Sequence, residues 1–389
     1  MYKVLTLNNI SPVGLDRLPR DRYEVASEIG HPDAIMLRSF KMHDMELPET
    51  LQAVGRAGAG VNNIPVDKMS GLGVPVFNAP GANANAVKEL VLAGVLMAAR
   101  NIPQAWEYTK GLDAPDAELN KLVEDGKKKY SGFEIPGRTL GVIGLGAIGY
   151  RVANAALSLG MKVVGYDPAM TVKNAWQLSS GVEQAVNVDD LIARSDFITV
   201  HVPLIDATRD LINAERIKVA RDGAVIMNFA RDGIVNEEAV VNALDSGKLH
   251  AFVTDFPNNA NKNHPKVIAL PHLGASTGEA EDNCAVMVAD QLIDYLENGN
   301  IRNSVNFPEA IMPRAEGTRL TVANRNVPNM VGQISTLLAD AGLNIVDMLN
   351  KSRGDLAYTI VDVEADALDG ALVDQIAAID GVLKVRTLG

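Results

Sequence analysis

The stretch Leu140–Asp167, LGVIGLGAIGYRVANAALSLGMKVVGYD, decides the fold. Its opening apolar run reads as a buried strand. GLGAIG follows, with glycines at 144, 146 and 149, and leads into an alanine-rich segment whose Val152, Ala153, Ala156, Leu157 and Leu159 favour burial on a helix. A second apolar run, KVVGY, ends in Asp167. Gly144 permits a tight turn, Gly146 lets the backbone approach a pyrophosphate, and Gly149 lets helix and strand pack closely. The phosphates would rest on free N–H groups at the helix N-terminus. Asp167 can accept hydrogen bonds from an adenosine ribose, and its charge would repel a 2′-phosphate, so NAD is expected rather than NADP.

From Thr139 onward the alternation is regular. TLGVI, KVVGY, FITVH, AVIMN, AFVTD and KVIAL give six expected strands of a doubly wound sheet. Ligands of such sheets bind beyond the carboxyl ends of the strands, where Asp167, His201, Asn228, Asp255 and His272 fall. Oxidation of a secondary alcohol by hydride transfer needs an anchor for the substrate, a base for the hydroxyl proton, and charge near the oxygen. Arginine suits the first and third, because its planar fork grips a carboxylate and stays charged. Histidine suits the second, because it titrates near working pH. Arg231 is the expected anchor and His272 the expected base. His31, His43, His250 and His264 lie in loops or polar contexts and are read as ordinary.

Before this region, YKVLTL, AIMLR, LQAVGRAG and VPVFN read as strands of a parallel α/β unit, followed by a helix from about Ala84 to Arg100. The lysines at 127–129 read as a solvated face. Ser276–Gly299 reads as one long helix, and FPEAIMPRAEG, with its two prolines, as a linker. Beyond it TRLTVA, NIVDMLNK, DLAYTIVDVE and VLKVRTL are expected strands in a βαββαβ order.

The bulk properties limit the alternatives. A chain of 389 residues holds two or three domains. A net charge of -12, from 36 basic and 48 acidic residues, disfavours general attraction to nucleic acid or an anionic membrane. The longest apolar run, Leu90–Ala99, is too short for a membrane span, and MYKVLTLNNI lacks an export-signal layout, so a cytoplasmic protein is expected. Cys284, the one cysteine, excludes an internal disulfide and a zinc site of several thiolates, and no metal is expected.

GRAGAGVNNI, FNAPGANANAVKEL, LGVIGLGAIG, HVPL, NFARDGIVNEEA and PHLGAST, in that order, resemble the D-isomer-specific 2-hydroxyacid dehydrogenases. The C-terminal unit resembles an ACT regulatory domain, which narrows the resemblance to the branch that oxidises 3-phospho-D-glycerate at the entry to serine biosynthesis. The resemblance implies an α/β protein with two parallel-sheet domains. A flavodoxin-like substrate domain is expected at 1–83 and 276–305, a Rossmann NAD domain at 84–275, and an ACT-like domain at 316–389. It further implies that Ala147 and Ile148 meet the pyrophosphate and that Val202, Pro203, Phe229, Ala230, Gly274 and Ala275 line the cofactor. Asp255 would face the nicotinamide amide, while Arg38, Ser39 and Arg56, together with Arg231, would bind substrate phosphate and carboxylate. A homo-oligomer, a dimer or tetramer, is implied as well. A glyoxylate or hydroxypyruvate reductase is the near alternative, and an NADH-responsive binding protein with little turnover the distant one.

The chain departs from the family pattern in three places. The family carries a glutamate soon after the aspartate matching Asp255, and that acid supports the histidine as imidazolium. Here the segment reads TDFPNNANKNHP, with Asn259 nearest the missing position, and Glu279 or Glu281 is the expected substitute. Asp232 replaces the glycine usual after the motif arginine. In the tail, Asn324, Asn326 and Asn344 stand where serine-binding relatives have polar residues, but Asn329 stands where a glycine is common. The tail is expected either to bind serine as an effector or to serve a structural, dimerising part.

Overall fold

The structure, a computed structural model, describes residues 1–389. The backbone separates into two compact units, Met1–Ala82 with Gly278–Gly389, and Asn83–Thr277. No helix is long and apolar enough to cross a membrane.

The first unit begins with a parallel sheet of β1 (Tyr2–Leu7), β2 (Tyr23–Ala26), β3 (Ala34–Leu37), β4 (Ala53–Arg56) and β5 (Val76–Phe77). Their order, β2-β1-β3-β4-β5, is the flavodoxin-like arrangement. The middle unit is built on β6 (Thr139–Ile143), β7 (Lys162–Tyr166), β8 (Val182–Gln184), β9 (Phe197–Val200), β10 (Ala224–Asn228), β11 (Leu249–Thr254) and β12 (Val267–Ala269). These form a seven-stranded parallel sheet in the order β12-β11-β10-β9-β6-β7-β8. Every residue of β6, β9 and β10 is buried, as expected of central strands covered on both faces. The helix Ala84–Arg100 turns Val87, Val91, Val95 and Ala98 into that core. It ends at Asn101, whose φ of 51° is a left-handed stop that asparagine tolerates.

Sequence reading missed β2 and β8. Both are short edge strands, and YEVA and VEQ carry exposed or half-exposed residues where a central strand would be apolar throughout.

The tail forms an antiparallel sheet of β13 (Thr318–Arg325), β14 (Ile345–Arg353), β15 (Leu356–Val363) and β16 (Val382–Leu388), ordered β14-β15-β13-β16. With helices Met330–Asp340 and Gly370–Ala377 this completes the βαββαβ order. Period-two alternation gives the sheet two apolar faces. Leu320, Val322, Val361 and Val363 pack under the helices, whereas Ala323, Tyr358 and Ile360 join the core that contains Tyr295, Leu296 and Phe307.

That second face is pinned by a buried cation. Arg319 and Asp362, opposite each other on β13 and β15, are 0% and 1% exposed. Arg319 Nε and Nη2 donate to the two Asp362 oxygens at 2.6 and 2.7 Å. Its other N–H groups reach the carbonyls of Asn298 (2.8 Å), Met312 (3.0 Å) and Pro313 (2.8 Å). The guanidinium therefore uses its full set of donors. Arg386 of β16 donates to the carbonyls of Tyr295 and Leu296 at 3.0 and 2.9 Å, and Lys384 to that of Leu51.

The segment read as a linker is consequently no free tether. Phe307, Ala310 and Met312 are buried, and Ile301 and Ala310 form a β-bridge. Its prolines prevent regular structure, but they do not prevent packing. Arg319→Met would strand a buried carboxylate and three carbonyls, and is expected to destabilise the first unit by about 3–5 kcal/mol. A clearly lower urea midpoint checks this; an unchanged midpoint would contradict it.

Candidate active site

The strand order reverses between β9 and β6, so the crevice of the middle unit lies where GLGAIG leaves β6 and HVPL leaves β9. The two exits are tied together, His201 N–H donating to the Ile143 carbonyl at 2.7 Å. Gly144 takes a φ of 88°, and a β-carbon there would meet the His201 carbonyl at 2.6 Å and Val202 Cγ1 at 2.8 Å. A β-carbon on Gly149 would lie 1.9 Å from the Gly144 carbonyl oxygen. A β-carbon on Gly146 would meet nothing within 4 Å. The first two glycines thus close the turn on itself, and the third leaves it open outward, with Ala147 and Ile148 half-exposed beside it.

Asp167, just past β7, braces the turn. Its Oδ2 accepts the Leu145 N–H at 2.8 Å, and its Oδ1 accepts that of Ala169 at 2.9 Å. Each oxygen keeps acceptor capacity for a further donor. The open glycine face and the fixed carboxylate leave room for a pyrophosphate and a ribose.

A second group of residues sits beyond β10, β11 and β12. Asn228 is 3% exposed and folds the chain behind it: Nδ2 donates to the Arg231 carbonyl at 2.8 Å, and Oδ1 accepts the Ala230 N–H at 3.1 Å. The Arg231 side chain itself is exposed, with Nη1 donating to the Ala230 carbonyl at 2.7 Å. His272 is exposed and packs on Phe256, with ring centroids 4.7 Å apart. Asp255 is 1% exposed, and no donor meets either carboxylate oxygen in good hydrogen-bond geometry. Burial raises its pKa above the ordinary carboxylate value. The charge of His272, the N–H groups of Gly274 and of Asp255 itself, and the charge of Arg231 offset part of that rise. One buried carboxylate therefore feels both the imidazole and the guanidinium, which brings Arg231 and His272 into one electrostatic neighbourhood.

His201 offers no rival base. Burial pushes its pKa down to about 4, and its Nε2 is engaged with Thr199 Oγ1 at 3.0 Å. Phe229 is 5% exposed and its ring lies against Gly94 and Val253, so its side chain belongs to the core and only its backbone remains for a cofactor. Val202 covers Gly144, Pro203 is exposed, Ala230 and Ala275 are half-buried, and Gly274 lies beside Asp255.

The loop at the position of the missing glutamate is held by its asparagines. Asn258 Oδ1 accepts the N–H groups of Ala260 and Asn261, at 2.9 and 3.0 Å, while Asn261 Oδ1 accepts that of Asn258 at 3.1 Å. The asparagines thus fold the loop upon itself. Asn259 is exposed and makes no hydrogen bond to His272. Glu281, expected as a substitute, is paired elsewhere: its Oε1 lies 2.7 Å from Arg38 Nη2. Asp255, which the family resemblance assigns to the cofactor amide, is the buried carboxylate on which the His272 charge acts.

In the first unit Arg38, Ser39 and Arg56 gather at the carboxyl ends of β3 and β4. Arg56 Nε donates to the Arg38 carbonyl at 3.1 Å, and the Ser39 N–H donates to Asn8 Oδ1 at 3.1 Å. In the tail Asn324 is buried with its Oδ1 unpartnered and its Nδ2 on the Arg325 carbonyl. Asn326 holds the Gly354 carbonyl, and Asn344 is exposed. Asn329 has a φ of 63°, which explains an asparagine where a glycine is common.

Residues 92–274 match the family model described as "D-isomer specific 2-hydroxyacid dehydrogenase, NAD binding domain". A D-3-phosphoglycerate dehydrogenase of Haemophilus influenzae is 33% identical over 88% of this chain and 83% of its own length. The chain belongs to the D-isomer specific 2-hydroxyacid dehydrogenase family. A second relative of the same name, from Methanocaldococcus jannaschii, is 37% identical over 87% of this chain, which spans 63% of that protein's length. Among solved structures, a glyoxylate reductase from Paecilomyes thermophila matches with a TM-score of 0.62 and 25% identity, over 78% of this chain and 98% of its own. As a member of this dehydrogenase family the chain is an oxidoreductase, and NAD is its cofactor.

The raised Asp255 carboxyl has a pH signature. The folded state holds its proton better than the unfolded state, so stability falls as pH rises through the interval from the ordinary carboxylate pKa to the raised one. Asp255→Asn cannot ionise, and its stability relative to wild type is expected to grow from acid to neutral pH. Urea midpoints across that range check this; a pH-independent or reversed difference would contradict it.

Proposed function

We propose that the chain oxidises 3-phospho-D-glycerate to 3-phosphohydroxypyruvate, the first step of L-serine formation. What supports the reading is the pair of relatives named D-3-phosphoglycerate dehydrogenase, together with a buried carboxylate, Asp255, on which the charges of both His272 and Arg231 act. Gly144, Gly146, Ala147, Ile148 and Gly149 would cradle the pyrophosphate, and the open face at Gly146 fits a group pressed against the backbone. Asp167 would take the ribose, and Asp255, whose buried carboxylate no donor meets in good hydrogen-bond geometry, the amide. Val202, Pro203, Ala230, Gly274, Ala275 and the backbone of Phe229 would complete the lining.

NAD+, held by the glycine turn and Asp167, would supply the acceptor for the hydride that leaves C2 of the substrate. His272 takes the proton of the C2 hydroxyl, so that the C–O bond closes to a carbonyl. The Arg231 fork holds the carboxylate and steadies negative charge gathering on the reacting oxygen. Arg38, Ser39 and Arg56 are assigned to the phosphate. Relatives named D-3-phosphoglycerate dehydrogenase support this substrate. A homo-oligomer is part of the same reading, supported by Ile102, Trp106 and Leu122, which stand 47%, 64% and 38% exposed on neighbouring helices of the middle unit.

NADH absorbance followed with 3-phospho-D-glycerate, D-glycerate and D-lactate tests the reading. Turnover is expected to favour the phosphorylated substrate, and His272→Gln to lower kcat by about 10²–10⁴-fold. Equal turnover of the unphosphorylated acids would return the substrate to the reductase alternative. NADH binding without turnover of any would leave a binding protein.

A further inference from the structure

The cation corner of the first unit carries a carboxylate that the reaction does not require. Helix Gly278–Asn298 has Glu279 and Glu281 in its first turn, and Glu281 Oε1 lies 2.7 Å from Arg38 Nη2. The Arg38 and Glu281 side chains are 39% and 42% exposed, so water reaches the pair. Beside it, both guanidinium-bearing residues are held by the backbone. Asn63 Nδ2 and Arg56 Nε each donate to the Arg38 carbonyl at 3.1 Å. Arg56 lies across Gly58, where a β-carbon would come 1.9 Å from its Nη1. Cys284, buried beneath, registers the same grouping: burial raises its thiol pKa, the Arg56 and Arg38 charges lower it, and the Glu281 charge raises it.

An arginine paired with an exposed carboxylate, beside a second arginine, makes a graded anion receptor. An ion pair this exposed is weak, worth a factor of about five or less in equilibrium. A phosphate dianion offers three oxygens in place of the single salt-bridged one, and can take Arg38 from Glu281. An uncharged hydroxyl cannot. Glu281 then remains close to the bound dianion and repels it, since like charges near one site oppose each other.

We propose that Glu281 is a specificity-determining residue of the phosphate subsite, a carboxylate paired with Arg38 that competes with the phosphate of the substrate for that guanidinium. This rests on the assignment of Arg38 and Arg56 to that phosphate. Glu281 sets how tightly phosphorylated ligands bind, and so tunes affinity at the physiological end of the reaction without entering the chemistry.

The test uses the full chain as wild type, Glu281→Gln, Glu281→Asp, Arg38→Gln, and the double variant of Arg38→Gln with Glu281→Gln. KM and kcat for 3-phospho-D-glycerate and D-glycerate are measured, together with the inhibition constant of inorganic phosphate. Glu281→Gln keeps the shape and removes the charge. It is expected to lower KM for the phosphorylated substrate and the inhibition constant of phosphate by about three- to tenfold. KM for D-glycerate should stay within about twofold, and Glu281→Asp, which keeps the charge, should stay near wild type. The gain should vanish in the Arg38→Gln background.

An unchanged or raised KM for the phosphorylated substrate overturns the proposal. So does an equal fall for D-glycerate, or a gain that persists without Arg38. If the wild type fails to turn over 3-phospho-D-glycerate, the substrate assignment falls by itself, and inorganic phosphate then decides. Inhibition tightened by Glu281→Gln still supports the proposal, and inhibition left unchanged overturns it.

Discussion

The middle unit depends on one close approach. At Gly149 the chain passes the Gly144 carbonyl with no space for a side chain, since a β-carbon would lie 1.9 Å from that oxygen. This contact lets the helix Gly149–Ser158 begin directly against the end of β6, with its free N–H groups facing outward. It also fixes Leu145, whose N–H is received by Asp167 and whose side chain is buried in the core. Backbone turn, adjacent carboxylate and apolar packing are therefore one assembly, and the reversal of strand order at β6 and β9 places it at the mouth of the sheet.

The chemistry beyond that mouth rests on electrostatics under burial. In a chain of net charge -12, a buried carboxylate without strong donors is costly, and Asp255 is such a group. The charges of His272 and Arg231 partly compensate it, so the proposed base and anchor act on the same buried group. The family resemblance implies a glutamate beside the histidine. Here the corresponding loop spends its asparagines on closing a turn, and Asp255 is the acid that remains within electrostatic reach. In the first unit the signs are exchanged: Arg38, beside Arg56, is paired with the carboxylate of Glu281.

The sequence displayed what local pattern controls. The glycines, the fully apolar central strands and the polar residues at their ends made the nucleotide sheet legible, and Asp167, Arg231 and His272 with it. Edge strands were not legible, because β2 and β8 are neither apolar nor long. The prolines of FPEAIMPRAEG marked irregular backbone correctly, yet could not reveal that Phe307 and Met312 are buried or that Arg319 gathers their neighbours' carbonyls. Long-range partners were the other blind spot. Glu281 was visible as an acid near the histidine motif, but its partner Arg38 lies on the far side of the entire middle unit in sequence.

The dinucleotide turn and its acid are tested most directly by cofactor discrimination. Dissociation constants of NADH and NADPH, measured by fluorescence for wild type and Asp167→Ala, give two ratios. Loss of the Leu145 brace weakens both cofactors alike, so the ratio isolates what the carboxylate does to the ribose end. Wild type should bind NADH far more tightly than NADPH, and Asp167→Ala should narrow that gap. A wild type that prefers NADPH, or a ratio untouched by the substitution, would contradict the assignment.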